Sequence, residues 1–351
     1  MLPASAQAPP QEGLPVPNEI LAVILGHLDS VDSVAASRVQ RAWRALAPPS
    51  SKFVAVYAAQ LAARGHLSVL QWARLNGCPW DESACTAAAR AGHLEVLQWL
   101  HANGCPLGWD VCKGAALGGH LEILCWAYNN GWSYVPRLCD EAAEGGHIHV
   151  LAWLHANGHA WDAWTCAHAA EAGHLQALQW LRTNGCPWSH TTCDGAALGG
   201  HLNVLQWAEA SGCPLTGSAW IRAAEGGHLD VLRWLYANDY PRNTLACARA
   251  AKGGHLEVLE WLRARGCWDV WICVFSAISG GHLRILQWAC GDDEHTWESE
   301  MCSFAAACGH LHVLQWLRHN GCPWDAKTCA SAARHGHSKV LHWAKANGCP
   351  C

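Results

Sequence analysis

The chain has 351 residues, with 23 Lys plus Arg against 28 Asp plus Glu and a formal net charge of -5. This balance argues against a phosphate-binding surface, so nucleic acid is not an expected partner. Gly, His or charged residues interrupt every apolar stretch, so no membrane span is expected. We expect an intracellular protein of the cytoplasm or nucleus, whose twenty cysteines are mostly buried and reduced.

The amino-terminal part of the chain differs from the rest in composition and in the spacing of its apolar residues. Residues 1–13 are rich in Ala, Pro, Gln and Ser, which predicts a disordered tail. Residues 14–47 have apolar residues at helical spacing and predict a small module of three helices, and residues 48–52, with Pro48-Pro49, form a linker. So short a module has a weak core of its own, so we expect it to pack on a partner or on the next domain.

The motif order in residues 14–47 resembles an F-box. The matching residues are Val16-Pro17-Asn18-Glu19-Ile20-Leu21, Leu28-Asp29, Asp32, and Val39 to Trp43-Arg44. F-box proteins dock on the Skp-type adaptor of a cullin ubiquitin ligase and present a substrate through another domain. By residue match, the resemblance implies that the adaptor contacts are Pro17, Ile20, Leu28, Val39 and Trp43. The alternative is that these side chains only cap the first face of the following domain.

From residue 53 onward the sequence is periodic. A Gly-His pair recurs eleven times, from Gly65-His66 to Gly336-His337, at steps of 27 residues with one step of 28. A Trp stands seven residues after each of these glycines, and a Cys stands seven residues before most of them. A fixed period of this length predicts a stack of identical supersecondary units.

One repeat predicts a pair of antiparallel helices. Asp81 is a candidate N-cap for a first helix with a small-residue face, and Gly92 is placed to end that helix in the left-handed conformation. The apolar residues from Leu94 to Leu100 then predict a second helix, which Asn103-Gly104 ends. Such pairs cannot bury their apolar faces alone, so neighbouring pairs must stack.

The string Ala-Ala-Arg-Ala-Gly-His-Leu-Glu-Val-Leu-Gln-Trp-Leu at residues 88–100 resembles the second half of an ankyrin repeat. The repeat is shorter than the usual ankyrin unit of about 33 residues, and the Thr-Pro-Leu-His opening is absent. The resemblance implies an all-α fold: an α-solenoid of about eleven ankyrin-like helix pairs over residues 53–351, preceded by the three-helix F-box-like module. The fingers between repeats should be missing or vestigial.

The many His and Cys residues raise the question of metal binding or catalysis. Residues in one column of stacked repeats lie about 10 Å apart, whereas zinc needs ligands at about 2.3 Å, so the columns predict no metal site. Cys349-Pro350-Cys351 is a lone pair, and neither a nucleophile elbow nor a phosphate loop occurs. We therefore expect no enzyme activity, no cofactor and no metal. The histidines should join neighbouring repeats, and the tryptophans should fill the core.

Binding should use the positions that differ from repeat to repeat. Counting back from each repeated Gly, the columns nine, six, five and two residues earlier vary freely, and their spacing places them on one face of the first helix. We call this the variable face. A solvated face would also vary, but apolar residues among mixed charges are typical of protein recognition. The predicted client-binding residues are Arg137, Glu141, Trp164, His168, Glu171, Leu198, Ile221 and Arg222.

Together these features predict a substrate-recognition adaptor of a cullin-type ubiquitin ligase. The alternative is a non-catalytic protein-binding scaffold that recruits no ligase. The pairing of an F-box with ankyrin-like repeats resembles proteins of giant DNA viruses of amoebae, in which case the client would be a protein of the host cell. The identity of the client is not encoded in any motif of the sequence.

Overall fold

The computed structural model describes four stretches of the chain, excepting the side chains of Trp72 and Leu75. These stretches are residues 55–75, 78–132, 135–290 and 298–351. Within them the protein is all-helical, with twenty-two α-helices and no strand, as the sequence predicts. None of these helices is both long and apolar enough to cross a bilayer. The predicted tail, F-box-like module and linker lie outside the described residues.

The chain divides into two compact segments, Met1–Val135 and Pro136–Cys351, which we call the amino-terminal and carboxy-terminal segments. The described helices of the amino-terminal segment are α1 (Ala55–Ala63), α2 (Leu67–Leu75), α3 (Glu82–Arg90), α4 (Leu94–Ala102), α5 (Asp110–Gly118) and α6 (Leu121–Asn129). They form three helix pairs, in each of which the odd-numbered helix comes first.

The carboxy-terminal segment contains eight such pairs in its described residues. Its helices are α7 (Leu138–Glu144), α8 (Ile148–Ala156), α9 (Ala163–Glu171), α10 (Leu175–Thr183), α11 (His190–Gly199), α12 (Leu202–Ala210), α13 (Ser218–Gly226), α14 (Leu229–Ala237), α15 (Leu245–Gly253), α16 (Leu256–Arg263), α17 (Val270–Gly280), α18 (Leu283–Cys290), α19 (Ser299–Ala307), α20 (Leu311–His319), α21 (Ala326–Arg334) and α22 (Ser338–Ala346).

The pair α3 and α4 shows how the sequence sets the helix ends. The carboxylate of Asp81 accepts a hydrogen bond from the backbone N–H of Ser83 at 3.0 Å, so Asp81 caps α3 as predicted. Gly92 follows with a φ of +83°, the left-handed region that favours glycine. After α4, the side-chain amide of Asn103 donates a hydrogen bond to the carbonyl of Trp99 at 2.8 Å. Both helices therefore end where the sequence predicts.

Packing follows the same plan in each segment. Consecutive first helices lie side by side, and each second helix packs on the first helix of its own pair. The Ala-Ala positions of the first helices are fully buried, as at Ala169 and Ala170, because small side chains let the helix axes approach closely. Leu178 and Leu181 on α10 are also fully buried, and each contributes roughly 1.5–3 kcal/mol of hydrophobic stabilisation.

The repeated histidines join neighbouring repeats within a segment, as the sequence predicts. The Nε2–H of His255 donates to the backbone carbonyl of Glu225 in the preceding repeat at 2.9 Å. Gly173 shows why glycine accompanies the histidine: its φ is +80°, and a Cβ there would lie 2.6 Å from the ring of His201. The Gly-His pairs are therefore explained by the packing of one repeat on the next.

The tryptophan column differs from its prediction as core. Of its described side chains Trp261 alone is buried, and the others are half-buried. Several of them pack on a ring of a loop, as where Trp207 packs edge-to-face on Trp188 at 5.8 Å between ring centroids. The guanidinium of Arg182 stacks over Trp188 at 4.2 Å. An indole has a large apolar ring and a polar N–H group, so it suits a half-buried position at the edge of the core.

Eighteen of the twenty cysteines are free, and most of them are buried, as expected. One pair departs from the expected reduced state, because Cys329 is joined to Cys351 in a disulfide. The physical reason is that the chain after α22 folds back against α21, which brings together two cysteines that lie 22 residues apart in sequence.

Candidate protein-binding groove

The variable face of the carboxy-terminal segment contains a groove, which we call the α9–α11 groove. It is lined by Trp164, Ala167, His168, Glu171, Thr191, Asp194, Gly195, Leu198 and Arg222. The first four residues come from α9, the next four from α11 and the last from α13. Three consecutive repeats therefore contribute to one concave surface.

Trp164 provides the largest apolar surface of the groove. It follows the N-cap Asp162, whose carboxylate accepts a hydrogen bond from the backbone N–H of Trp164 at 2.8 Å. The side chain is nevertheless 53% exposed. A tryptophan that is fixed at a helix start and left this exposed is typical of a binding anchor, because burying its ring would release a large area from water.

Close approach of two helices shapes the floor of the groove. A Cβ on Gly195 would lie 2.7 Å from the carbonyl oxygen of Ala167, well inside contact distance. Glycine on α11 therefore lets the helix backbone come nearer to α9 than any other residue would allow. Both Ala167 and Gly195 are buried, so these two small residues set the depth of the groove.

The groove carries charges of both signs that hydrogen bonds hold in place. The Asp194 carboxylate accepts the hydroxyl of Ser218, at 2.7 and 2.8 Å to its two oxygens. The Arg222 guanidinium donates to the carboxylate of Glu225 at 2.9 Å. Fixed polar groups beside an exposed aromatic ring favour a ligand with both apolar and polar parts, such as a peptide side chain and its backbone.

The volume of the groove, about 140 Å³, indicates the size of group that fits. Pockets for small molecules and cofactors commonly enclose about 300–1,000 Å³. A space of about 150 Å³ holds a single benzene-sized group. The α9–α11 groove therefore has room for about one large side chain.

Five of the eight predicted client-binding residues lie together in this groove. They are Trp164, His168, Glu171, Leu198 and Arg222. Arg137, Glu141 and Ile221 do not line it. Their role in binding a client stays a prediction, as does that of the other five. The predicted adaptor contacts Pro17, Ile20, Leu28, Val39 and Trp43 lie outside the described residues.

Arg137 has a structural task that the sequence did not reveal. Its Nε–H donates to Asp140 at 2.6 Å, and the hydroxyl of Thr165 donates to the other oxygen of Asp140, also at 2.6 Å. Asp140 is only 8% exposed. The hydrogen bond to Asp140 raises the pKa of the Arg137 guanidinium above its ordinary value. Arg137 thus compensates the charge of the buried Asp140 carboxylate, although its own side chain is mostly exposed.

The list of predicted residues omitted four residues of the groove: Ala167, Thr191, Asp194 and Gly195. All four fall in the variable columns, at nine, six or five residues before Gly173 or Gly200. The column spacing therefore marks all four positions, but it does not show which members of a column line a groove. Ala167 and Gly195 form the floor, which depends on how closely α9 and α11 approach one another.

Comparison with known proteins identifies ankyrin repeats in part of the chain. The family described as ankyrin repeats (many copies) matches residues 55–101 and 221–263. The second match begins at the helix that carries Arg222. Ankyrin repeats form protein-binding scaffolds, so the chain carries a protein-interaction scaffold in these residues. No curated protein matches the chain.

Among solved structures, the chain is similar to the pentatricopeptide repeat protein PPR10 in complex with an 18-nt psaJ RNA element. The identity is 13%, the alignment covers 95% of this chain and 53% of that chain, and the TM-score is 0.34. A variant of PPR10 with three cysteine-to-serine substitutions, also in complex with an 18-nt element, gives the same values. The chain thus spans about half the length of both solved chains.

Proposed function

We propose that the protein is the substrate-recognition adaptor of a cullin-type (SCF) ubiquitin ligase. In this proposal, residues 14–47 dock the Skp-type adaptor, and the α9–α11 groove binds a protein client. The protein itself performs no chemistry. If the chain is of viral origin, as its resemblance to proteins of giant DNA viruses implies, the client is a protein of the host cell.

The observation that carries the client-binding part is the position of Trp164. An indole that is 53% exposed stands in a groove whose volume suits one side chain, beside the carboxylates of Glu171 and Asp194 and the guanidinium of Arg222. Aromatic residues and arginine are the residue types that most often dominate protein interfaces. The ankyrin-repeat match supports the same kind of partner.

The support for ligase recruitment comes from the sequence. The F-box-like order of Pro17, Ile20, Leu28, Val39 and Trp43 supplies apolar contacts of the kind that F-boxes present to their adaptor. A protein with a recruiting module and a separate binding surface can bring a client to the ligase without any active site of its own. The alternative is a protein-binding scaffold that recruits no ligase.

Binding to the Skp-type adaptor separates these two functions. The full chain is purified with an affinity tag and incubated with the adaptor, alongside the variants Ile20→Asp and Trp43→Ala. We expect the unmodified chain to retain the adaptor and both variants to lose it, whereas Trp164→Ala, as a matched control in the other domain, retains it. Failure of the unmodified chain to bind would leave the scaffold function in place of the ligase adaptor.

Client binding is tested by proximity labelling in cells with the full chain. The double variant Trp164→Ala/Arg222→Ala should lose a specific set of labelled proteins. The control Trp109→Ala removes an indole that is 60% exposed but lies outside the variable columns, and it should keep that set. Clients should accumulate when residues 14–47 are deleted. An unchanged set with the double variant would exclude the α9–α11 groove as the binding site.

A further inference from the structure

Three cysteines meet at one place in the carboxy-terminal segment. Cys329 lies on α21, and Cys349 and Cys351 follow α22. Their sulfur atoms all lie within 4.8 Å of one another. Cys329 and Cys349 are buried, and Cys351 is exposed. In this structure Cys329 and Cys351 form a disulfide, and Cys349 is a free thiol beside it. The sequence pair Cys349-Pro350-Cys351 is therefore not alone, contrary to its prediction.

The other repeats show what is different about this cluster. A thiol on the first helix and a thiol after the second helix also meet elsewhere, as at Cys302 and Cys322, whose Sγ atoms are 3.3 Å apart. Two residues after that second thiol the chain has an indole, Trp324, in the order Cys-Pro-Trp. The same order occurs at residues 78–80 and 186–188. Cys351 takes the position of that indole, and so adds a third sulfur to a pair that recurs along the chain.

Apolar side chains pack on the cluster, and the Cys349 thiol donates to the backbone carbonyl of Asp325 at 3.5 Å. Trp324, Leu341 and Trp343 pack against the buried core that includes Cys329 and Cys349. A bound cation would compensate the thiolate charge in such a site, and a packed shell would keep the ligands from moving apart.

We propose that the reduced form of Cys329, Cys349 and Cys351 binds one thiophilic cation, Zn²⁺ or Cu⁺. Metal–sulfur bonds to zinc are about 2.3 Å long, so two sulfurs on a tetrahedral ion are about 3.8 Å apart. The three sulfur atoms lie within 4.8 Å of one another, so small side-chain movements after reduction would bring all three to one ion. Thiolates select these two ions among the common metals. Three thiols lose three protons as they bind the ion, and with Zn²⁺ the fourth position is open to solvent or another ligand.

The disulfide form and the metal-bound form exclude one another. The Cys329–Cys351 bond leaves one thiol, whereas the metal site needs three thiolates. Cleaving that bond takes two electrons and two protons, which a phosphine reductant in water supplies as it is oxidised to the phosphine oxide. Metal binding should therefore occur in the reduced chain and be absent from the oxidised chain.

The test uses the full chain, reduced with a phosphine under anaerobic conditions and loaded with Zn²⁺ or Cu⁺ in separate arms. Bound metal is measured by elemental analysis after gel filtration, and Co²⁺ reports thiolate ligation through its sulfur-to-metal charge-transfer absorption. We expect one ion per reduced chain, in the zinc arm, the copper arm or both. The oxidised chain should hold none.

Cys351→Trp is the decisive variant, because it restores the Cys-Pro-Trp order of other loops and so should fold. It should lose the ion. Because losing an outer-shell partner already costs about 10- to 100-fold in metal affinity, losing a ligand should cost at least that much. Cys308→Ser, which removes a half-buried thiol elsewhere, should keep the ion. If Cys351→Trp misfolds by circular dichroism, Cys349→Ser provides the same comparison.

Two outcomes would overturn the proposal. One is a reduced chain that retains neither ion. The other is a Cys351→Trp or Cys349→Ser chain that binds metal as tightly as the unmodified chain, because the ion would then be held by thiol pairs such as Cys302 and Cys322, or by histidines, and not by the three-cysteine cluster.

Discussion

The Nε2–H of His228 donates a hydrogen bond to the backbone carbonyl of Leu198, with 2.8 Å between nitrogen and oxygen, across thirty residues of sequence. Leu198 lies near the end of α11, and His228 directly precedes α14. A carbonyl near a helix end has no partner within its own helix, so the histidine of the next repeat supplies one. The same contact joins His282 to Lys252 and His337 to Ala307, both at 2.9 Å.

Replacing this histidine should weaken the coupling of two repeats. We expect His228→Ala to lower the free energy of unfolding by about 1–3 kcal/mol, because the carbonyl of Leu198 loses its donor. Repeat arrays are stabilised by nearest-neighbour interfaces, so the urea transition should also broaden. His190→Ala, which changes an exposed histidine at the start of α11, should shift stability by less than about 0.5 kcal/mol. Equal effects of the two variants would contradict the role of the hydrogen bond.

The stability of the carboxy-terminal segment should depend on pH through His201. The pKa of His201 is lowered, chiefly by burial and further by His228 and His174, although the backbone of Glu171 opposes this shift. The unfolded chain therefore binds a proton more readily than the folded chain. The stabilisation from a neutral His201 is present above its unfolded pKa of about 6.5 and is lost as the pH falls through the folded value.

Thermal unfolding at a series of pH values tests this expectation. The midpoint of the unmodified chain should fall between about pH 7.5 and pH 5. His201→Gln should show a shallower fall, because it removes one group that takes up a proton on unfolding. A midpoint that rises on acidification would contradict a folded-state pKa of His201 below its unfolded value.

Arg137 should matter more for stability than an ordinary surface charge. Arg137→Ala removes the hydrogen bond to one oxygen of the buried Asp140 carboxylate and keeps the bond from Thr165 to the other oxygen. We therefore expect a loss of about 1–3 kcal/mol in the free energy of unfolding. Lys113 makes an exposed ion pair with Asp110 at 3.6 Å, and Lys113→Ala should cost less than about 1 kcal/mol. Chemical denaturation of both variants measures the difference. Similar losses would mean that Asp140 does not depend on Arg137.

Gly195→Ala should destabilise the protein, although alanine stabilises most helices relative to glycine. Alanine is favoured over glycine inside a helix by about 1 kcal/mol, but a Cβ at Gly195 would meet the carbonyl of Ala167 at 2.7 Å. We expect Gly195→Ala to destabilise the protein by about 1–3 kcal/mol, because the two helices must move apart. Gly114 stands in the same column, with the carbonyl of Thr86 at 3.2 Å. Gly114→Ala should therefore cost less, and the reverse order would contradict the close-approach argument.

The helix pairs could be predicted closely because their signals are local. Asp81 as an N-cap and Gly92 as a left-handed stop each act within a few residues, and α3 and α4 begin and end accordingly. The variable columns also identified the groove-lining residues, since helical spacing alone places them on one face. The role of Arg137 was not predictable, because it depends on the burial of Asp140. That carboxylate also accepts a hydrogen bond from Thr165, which belongs to another repeat.

By itself, the sequence determined the repeat length, the helix pairs, the buried Ala-Ala positions and the face left free to vary. These features depend on the chain within one repeat and on its periodic recurrence. The tertiary structure decided that residues of α9, α11 and α13 form a groove, that most described tryptophans of the column lie at the edge of the core, and that Cys329 meets Cys351. Those outcomes depend on how closely particular backbones approach one another, and that distance is set by side-chain volumes summed over several helices.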